Sequence, residues 1–177
     1  MLIPEPPYAF RNEIMQIRKK DRRDYSLFAS SDELAIENGI QIIIPDANCE
    51  VILSAAKDFA DYLLVSMGLS ASVGTKAVSD QMKLTLCMNT NLGDVSDYMG
   101  HRICVTDEGI TIEAYDERGT AQGFYLLEDL MNLRRGTFLK KTVYARKVLF
   151  RPRMTHSPVG VYDERRMPAL EDRTGGL

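Results

Sequence analysis

Residues 101–135, HRICVTDEGITIEAYDERGTAQGFYLLEDLMNLRR, decide the fold class of this 177-residue chain. Apolar and polar residues alternate over 103–105 and again over 110–112, which predicts two short strands. The Asp-Glu-Gly sequence at 107–109 stands between them and predicts a tight turn, so the two strands should form a hairpin. A glycine-containing loop and then a helix are predicted for the rest of the segment.

The helix of this segment is predicted over residues 119–133, because apolar side chains recur there at helical spacing. Its apolar face consists of Ala121, Phe124, Leu126, Leu127, Leu130 and Met131. A wide apolar face of this kind is typical of a helix that packs on a sheet.

The sequence upstream predicts a second hairpin, a second helix and further strands. Asn38-Gly39 separates two apolar runs within 34–44, and Asn-Gly favours a two-residue hairpin turn. The Ile run at 42–44 shows no alternation, which predicts a strand covered on both faces. A helix is predicted over 50–67, with Gly68 ending it. Strands are predicted at 71–74, 83–88 and 143–150, with a loop at 89–100.

These elements together predict an α/β (α+β) domain over residues 31–150. A sheet of about five to seven strands, mixed or largely antiparallel at its edges, should be covered by two main helices. Residues 1–30 are expected to form an arm and a short helix at 9–19, where Phe10, Ile14 and Ile17 recur at helical spacing. Residues 151–177 are expected to form a tail or the start of another domain.

The charge run Arg18-Lys-Lys-Asp-Arg-Arg23 has two interpretations. A solvated helix end is favoured, because cations are stabilised at the C-terminus of a helix. A phosphate- or nucleic-acid-binding patch is the alternative, although aromatic residues are not interleaved as in nucleic-acid grooves.

Composition excludes several classes of protein. The net charge of −3 gives no general basic footprint for nucleic acid. The sequence contains no apolar run long enough to span a membrane, and its first residues do not resemble a secretory signal. The three cysteines, Cys49, Cys87 and Cys104, are odd in number and far apart, which indicates reduced thiols and a cytoplasmic location.

The loop at 116–123, Asp-Glu-Arg-Gly-Thr-Ala-Gln-Gly, joins a strand to a helix, an arrangement that can hold a phosphate. It matches neither the P-loop nor the dinucleotide fingerprint, and Asp116 and Glu117 would repel an anion. A structural role is favoured instead. Arg118 is expected to pair with a carboxylate, Gly119 to allow a tight turn, and Gly123 to allow the helix to approach the sheet.

Catalytic and metal-binding patterns are scarce. His101 and His156 are the two histidines, and the sequence contains neither C-x-x-C nor H-E-x-x-H, so we predict no metal and no cofactor. A Cys–His nucleophilic pair stays open, without local support. Adjacent acids occur at 32–33, 107–108, 116–117 and 163–164, and none of these pairs stands in a recognisable catalytic motif.

The order of elements and the sequence around residue 118 resemble a known family. The hairpin, ITIEAYDERGTAQGFYLLEDLM, the final strand and the Pro-Arg boundary resemble the N-terminal domain of β-N-acetylhexosaminidase-like glycoside hydrolases, namely family 20 and its α-glucuronidase relatives. Asp116, Arg118, Gly119, Gly123 and Phe124 fill the pattern of that domain. The resemblance extends over about residues 33–157.

The resemblance implies a non-catalytic domain. In these enzymes the chemistry belongs to a (β/α)₈ barrel that follows, which needs about 200 residues or more. Only 27 residues follow Phe150. The sequence RPRMTHSP at 151–158 resembles the start of a first barrel strand, and His156 stands where the family has a sugar-binding Arg-Gly. His156 is therefore the candidate substrate-binding residue.

Three hypotheses follow. The first is an accessory domain of a glycoside hydrolase that reaches carbohydrate only through a missing catalytic barrel, and that is inactive alone. The second is a stand-alone protein-interaction or oligomerisation module with the same fold. A small enzyme using His101 or His156 is a third. We expect no nucleic-acid or membrane partner, and a homo-oligomer if the surface facing the barrel is left apolar.

Overall fold

A computed structural model describes residues 18–20, 22–45, 49–78 and 80–150. Its strands and helices are β1 (Glu33–Ala35), β2 (Ile40–Ile43), α1 (Glu50–Met67), β3 (Ala71–Gly74), β4 (Met82–Met88), β5 (His101–Thr106), β6 (Gly109–Ala114), α2 (Glu117–Arg134), β7 (Phe138–Lys140) and β8 (Val143–Arg146), with a 3₁₀ turn at Gly93–Val95. None of the helices in the described ranges combines the length and hydropathy needed to span a bilayer.

The main sheet has six strands in the order β3-β2-β4-β6-β5-β8. Neighbours from β3 to β6 run parallel, whereas β5 is antiparallel to both β6 and β8. The predicted mixed sheet with two main helices is therefore confirmed. Of the two predicted alternatives the sheet is the mixed one, with an antiparallel β8 edge and a parallel β3 edge.

Both helices cover the same face of this sheet. They contact each other along their length, and the rings of Phe59 and Phe124 lie 5.3 Å apart, centroid to centroid. Ile42, Ile103 and Ile112 project from the strands into this core and are fully buried. The opposite face of the sheet is only partly covered, since alternate residues along the strands are half-buried or exposed.

The hairpin predicted over 34–44 is wrong. β1 pairs antiparallel with β7, aligning Leu34 with Leu139, and β2 joins the main sheet between β3 and β4. Gly39 (φ +93°) is the point where the chain leaves one sheet for the other. A Cβ there would lie 2.7 Å from Oγ of Ser70, so close approach as well as backbone conformation requires glycine.

The observed bounds of the helices agree closely with the predicted bounds, whereas those of the short strands agree less well. α1 spans the predicted residues and ends at Gly68, whose N–H bonds the carbonyl of Leu63 in a left-handed cap. α2 begins two residues before the predicted start, because Asp116 caps it. β8 ends at Arg146, earlier than predicted, and β7 was not predicted. In β2, Gln41 is buried but Ile43 is half-buried, so the face of that strand away from the helices is only partly covered.

Candidate functional site

The carboxylate of Asp116 organises the start of α2. Its Oδ1 accepts a hydrogen bond from the N–H of Gly119 at 2.6 Å, which satisfies one of the free amides of the helix. Its Oδ2 accepts from the N–H of Met99 at 2.9 Å. Met99 is held in the left-handed region (φ +58°). The two oxygens of one side chain therefore fix the loop before β5 to the start of α2.

Close backbone contact explains the glycines of this region. A Cβ on Gly119 would lie 2.6 Å from the carbonyl oxygen of Gly100, and one on Gly123 would lie 2.8 Å from Cγ2 of Ile112. The predicted role of Gly123 is confirmed. Gly119 lies in the first turn of α2 and is needed for close approach to the preceding loop, so the tight-turn interpretation was wrong.

Arg118 contacts an aromatic residue where a carboxylate was expected. Its guanidinium donates to the phenol of Tyr98 and lies 5.7 Å from the centroid of that ring. Because Asp116 already occupies the amides of Gly119 and Met99, the place where a phosphate would bind is filled by a carboxylate. The structural interpretation of this loop is supported.

Arg18 clamps the two helices from their outer side. Its guanidinium donates to Oε2 of Glu128 on α2 at 2.9 Å and to the carbonyl of Asp58 on α1 at 3.0 Å. It also lies 5.4 Å from the ring centroid of Tyr62. Its side chain is 14% exposed. For Arg18 the solvated-helix-end interpretation is wrong, and its charge is already matched by protein carboxylates.

The acidic pairs named in the sequence are held in structural contacts. Glu33 pairs with Arg134 at 2.7 Å, which lowers the pKa of Glu33 to about 2. Asp107 pairs with Lys141 at 2.9 Å. Asp116 caps α2, as described above. In each acidic pair within the described ranges, one carboxylate thus forms an ion pair or a helix cap that stabilises the fold. A glycosidase, in contrast, needs two carboxyl groups that face one cleft.

A groove of about 400 Å³ lies at the carboxyl ends of β2 and β4, beside the starts of both helices. Ligands of open α/β sheets commonly bind at this edge. Its lining is mainly apolar and comprises Ile44, Pro45, Cys49, Ile52, Leu86, Cys87, Met88, Glu117 and Thr120. Across the described residues, no cluster of three or more His, Cys, Asp or Glu side chains forms a metal site.

His101 is buried at the start of β5. Its Nδ1 lies 3.1 Å from the carbonyl of Met99, and burial lowers the pKa of the imidazole. Cys104 lies three residues further along the strand and therefore projects from the opposite face of the sheet. Cys49 and Cys87 line the apolar groove instead. Among the described residues, which do not include His156, the geometry therefore offers no support for a Cys–His nucleophile.

The candidate substrate-binding residue His156 and the acids at 163–164 lie outside the described residues. Within the described residues, sequence reasoning missed the contacts of Arg18 with both helices and the surroundings of His101. Both depend on residues far apart in the chain, so no local pattern signals them.

Comparison of the whole fold with solved structures finds partial likeness to glycoside hydrolases. A β-hexosaminidase from Streptomyces plicatus matches over 74% of this chain, with a TM-score of 0.53 and 18% identity. CpGH84D matches over 67% with a TM-score of 0.52 and 11% identity. A GH115 4-O-methyl-α-glucuronidase, BtGH115A, matches over 65% with a TM-score of 0.51 and 11% identity.

The chain has a hexosaminidase-like α/β fold. It spans only 27%, 22% and 18% of the lengths of those three solved chains, respectively. No protein-family model and no curated protein sequence matches it. At these identities the likeness establishes the fold, and the predicted fold class and resemblance are confirmed at that level.

Proposed function

We propose that this chain is a non-catalytic accessory domain of a glycoside hydrolase whose chemistry belongs to a separate catalytic barrel. The observation that carries the proposal is that most of this chain matches only a small part of each solved glycoside hydrolase. About two thirds of this chain or more matches glycoside hydrolases, yet it accounts for about a quarter or less of each of them.

The chemistry of the described residues supports a non-catalytic role. Hydrolysis of a glycosidic bond normally requires an acid and a second carboxylate on either side of the bond. Here Glu33, Asp107 and Asp116 are held by Arg134, Lys141 and two backbone amides. Among the described residues that line the mainly apolar groove at the strand ends, Glu117 is the one carboxylate.

Exposed apolar side chains on both helices favour contact with another protein surface. Val51 and Leu64 on α1 are 45% and 60% exposed, and Leu133 on α2 is 84% exposed. We propose that such side chains also permit self-association of the isolated chain. Sedimentation over a range of concentrations tests this, and a monomer at the highest concentration contradicts it.

We propose that carbohydrate binds to the separate barrel. Within this chain, we propose His156 as the residue that contacts the substrate. We also propose a cytoplasmic location, because Cys49, Cys87 and Cys104 are all free thiols and a reducing compartment preserves them. Mass spectrometry of protein isolated in the presence of an alkylating agent tests this, because each thiol that was reduced carries one alkyl group. Three reduced thiols support the proposal, and an intermolecular disulfide contradicts it.

The decisive genetic observation is the reading frame on both sides of codons 1–177. A frame that encodes alternating strands and helices of barrel length next to this domain supports the proposal. A stop directly after codon 177 together with a start at codon 1 contradicts it and supports the stand-alone module.

A further inference from the structure

A groove of about 510 Å³ lies between α1 and α2, beside the first half of each helix. Two small residues of its lining, Ala55 and Ala121, are buried, whereas Val51 and Tyr125 in the same lining are 45% and 44% exposed. Small side chains between two helices allow a further element to approach them closely. A groove between helices with exposed apolar side chains in its lining is suited to the apolar face of an amphipathic helix.

The contacts of two arginines show how the chain passes this groove. The guanidinium of Arg18 bonds the carbonyl of Asp58, a residue of the groove lining, and the N–H of Arg22 bonds the carbonyl of Ser66. These two points of α1 are about 12 Å apart along the helix axis, a distance that four residues of extended chain can cover. The chain therefore runs beside α1 in the direction of the helix. Upstream of Arg18 it is directed back toward the start of α1, where the groove lies.

The sequence before Arg18 has the pattern of an amphipathic helix. Phe10, Ile14 and Ile17 are spaced by four and three residues, which places them on one face of a helix. Such a face needs an apolar surface to cover it, because a helix of about nine residues is not stable alone in water.

The length and the charge of this segment also agree with the groove. The lining extends along α1 from Glu50 to Asp58, which is about 12 Å at 1.5 Å per residue. A helix from Phe10 to Arg18 contains the same number of residues and has the same length. With Arg18 held at Asp58, Arg11 comes level with the exposed carboxylate of Glu50, so opposite charges meet at the far end of the groove.

We propose that residues 9–17 form a helix that docks in the groove between α1 and α2, with Phe10, Ile14 and Ile17 facing the groove. Because Arg18 is already bound to both helices, the segment is held at a high effective concentration beside its site. Docking would cover Val51 and leave Leu64 and Leu133 for contact with other proteins. This inference goes beyond the proposed function and does not depend on it.

The first test is NMR of the full chain with labelled Ile and Ala methyl groups. Nuclear Overhauser contacts between the methyl groups of Ile14 or Ile17 and those of Ala55 or Ala121 are expected. They should vanish when Ile-labelled chains and Ala-labelled chains are unfolded, mixed and refolded together, because docking takes place within one chain. Contacts that persist in this mixture would show that the groove binds a second copy. That result, or the absence of any contact in the doubly labelled chain, overturns the proposal.

The second test is hydrogen exchange of the amides at 13–17 in two variants. Val51→Asp places a carboxylate in the groove at an exposed position, and it should accelerate exchange by about tenfold or more, because burying an unpaired charge is costly. Leu64→Asp is the matched control, since Leu64 is exposed on the same helix and is not part of the groove lining. It should leave exchange unchanged. Equal exchange in the two variants, or wild-type exchange as fast as in an unstructured peptide, overturns the proposal.

Discussion

Arg18 and Glu128, separated by 110 positions in the sequence, form an ion pair with 2.9 Å between Nη1 and Oε2. Their side chains are 14% and 13% exposed, so the pair is largely shielded from water. Because Arg18 also bonds the Asp58 carbonyl on α1, one side chain joins the segment before β1 to both helices. This contact indicates that residues upstream of the predicted domain boundary at 31 belong to the folded unit.

Arg18→Ala should destabilise the domain by about 2–3 kcal/mol, because it leaves the Glu128 carboxylate buried without its partner. Urea denaturation measures the free energy of unfolding. Lys19→Ala removes a neighbouring exposed cation and should change it by less than about 0.5 kcal/mol. Equal effects of the two variants would show that Arg18 contributes no more than a surface charge.

Asp116→Ala should cost about 1–2 kcal/mol, since it removes the cap of α2 and the acceptor for the N–H of Met99. Hydrogen exchange should accelerate at the Gly119 and Met99 amides together. Glu117→Ala changes the next acidic residue, which is exposed, and should leave both amides protected. Acceleration at Gly119 alone would contradict the role of Asp116 in holding the loop before β5.

Gly119→Ala should destabilise by about 1–3 kcal/mol, because the new methyl group would lie 2.6 Å from the backbone oxygen of Gly100, which cannot rotate away. Gly74→Ala is the matched control, since its methyl group would meet no atom closer than 3.9 Å. Thermal unfolding of both variants checks this prediction. A neutral Gly119→Ala would show that the two backbones separate at little cost.

The ion pair between Glu33 and Arg134 should make stability depend on pH in the acid range. The hydrogen bond from Arg134 lowers the pKa of Glu33 from 4.5 to about 2 in the folded protein. The pair therefore stabilises the fold above about pH 4.5, and the contribution disappears as the pH falls to about 2. Glu33→Gln should lose about 1 kcal/mol at pH 7 and match the wild type near pH 2. A pH-independent difference between the two proteins would contradict this assignment.

Local patterns predicted the elements whose contacts are local. The β5–β6 hairpin is set by alternation and the turn at 107–109, and α1 is set by its apolar face and Gly68. Asn38-Gly39 gave a wrong pairing because it specifies a bend and not a partner. The true partner of β1 is β7, three residues long and about 100 positions away, and nothing local distinguishes so short a strand.

At the candidate sites, too, local sequence patterns predicted only the contacts between residues that are close in sequence. The role of Asp116 at the start of α2 is local, and the sequence predicted the helix beside it. The sequence left a catalytic role of His101 open, because the residues around it come from β8 and from one face of α2, which no local pattern predicts. Arg18 looked like part of a solvated charge run, because Glu128 and Asp58 are distant in sequence. Contacts of this kind require the tertiary structure.

Hydrolysis of an aryl N-acetyl-β-glucosaminide by this chain alone, compared with the product of the complete reading frame, tests the central claim most directly. We predict no turnover by the isolated chain and turnover that depends on the adjoining barrel. Turnover that follows the purified 177-residue chain through every step would contradict the proposal that it is a non-catalytic domain.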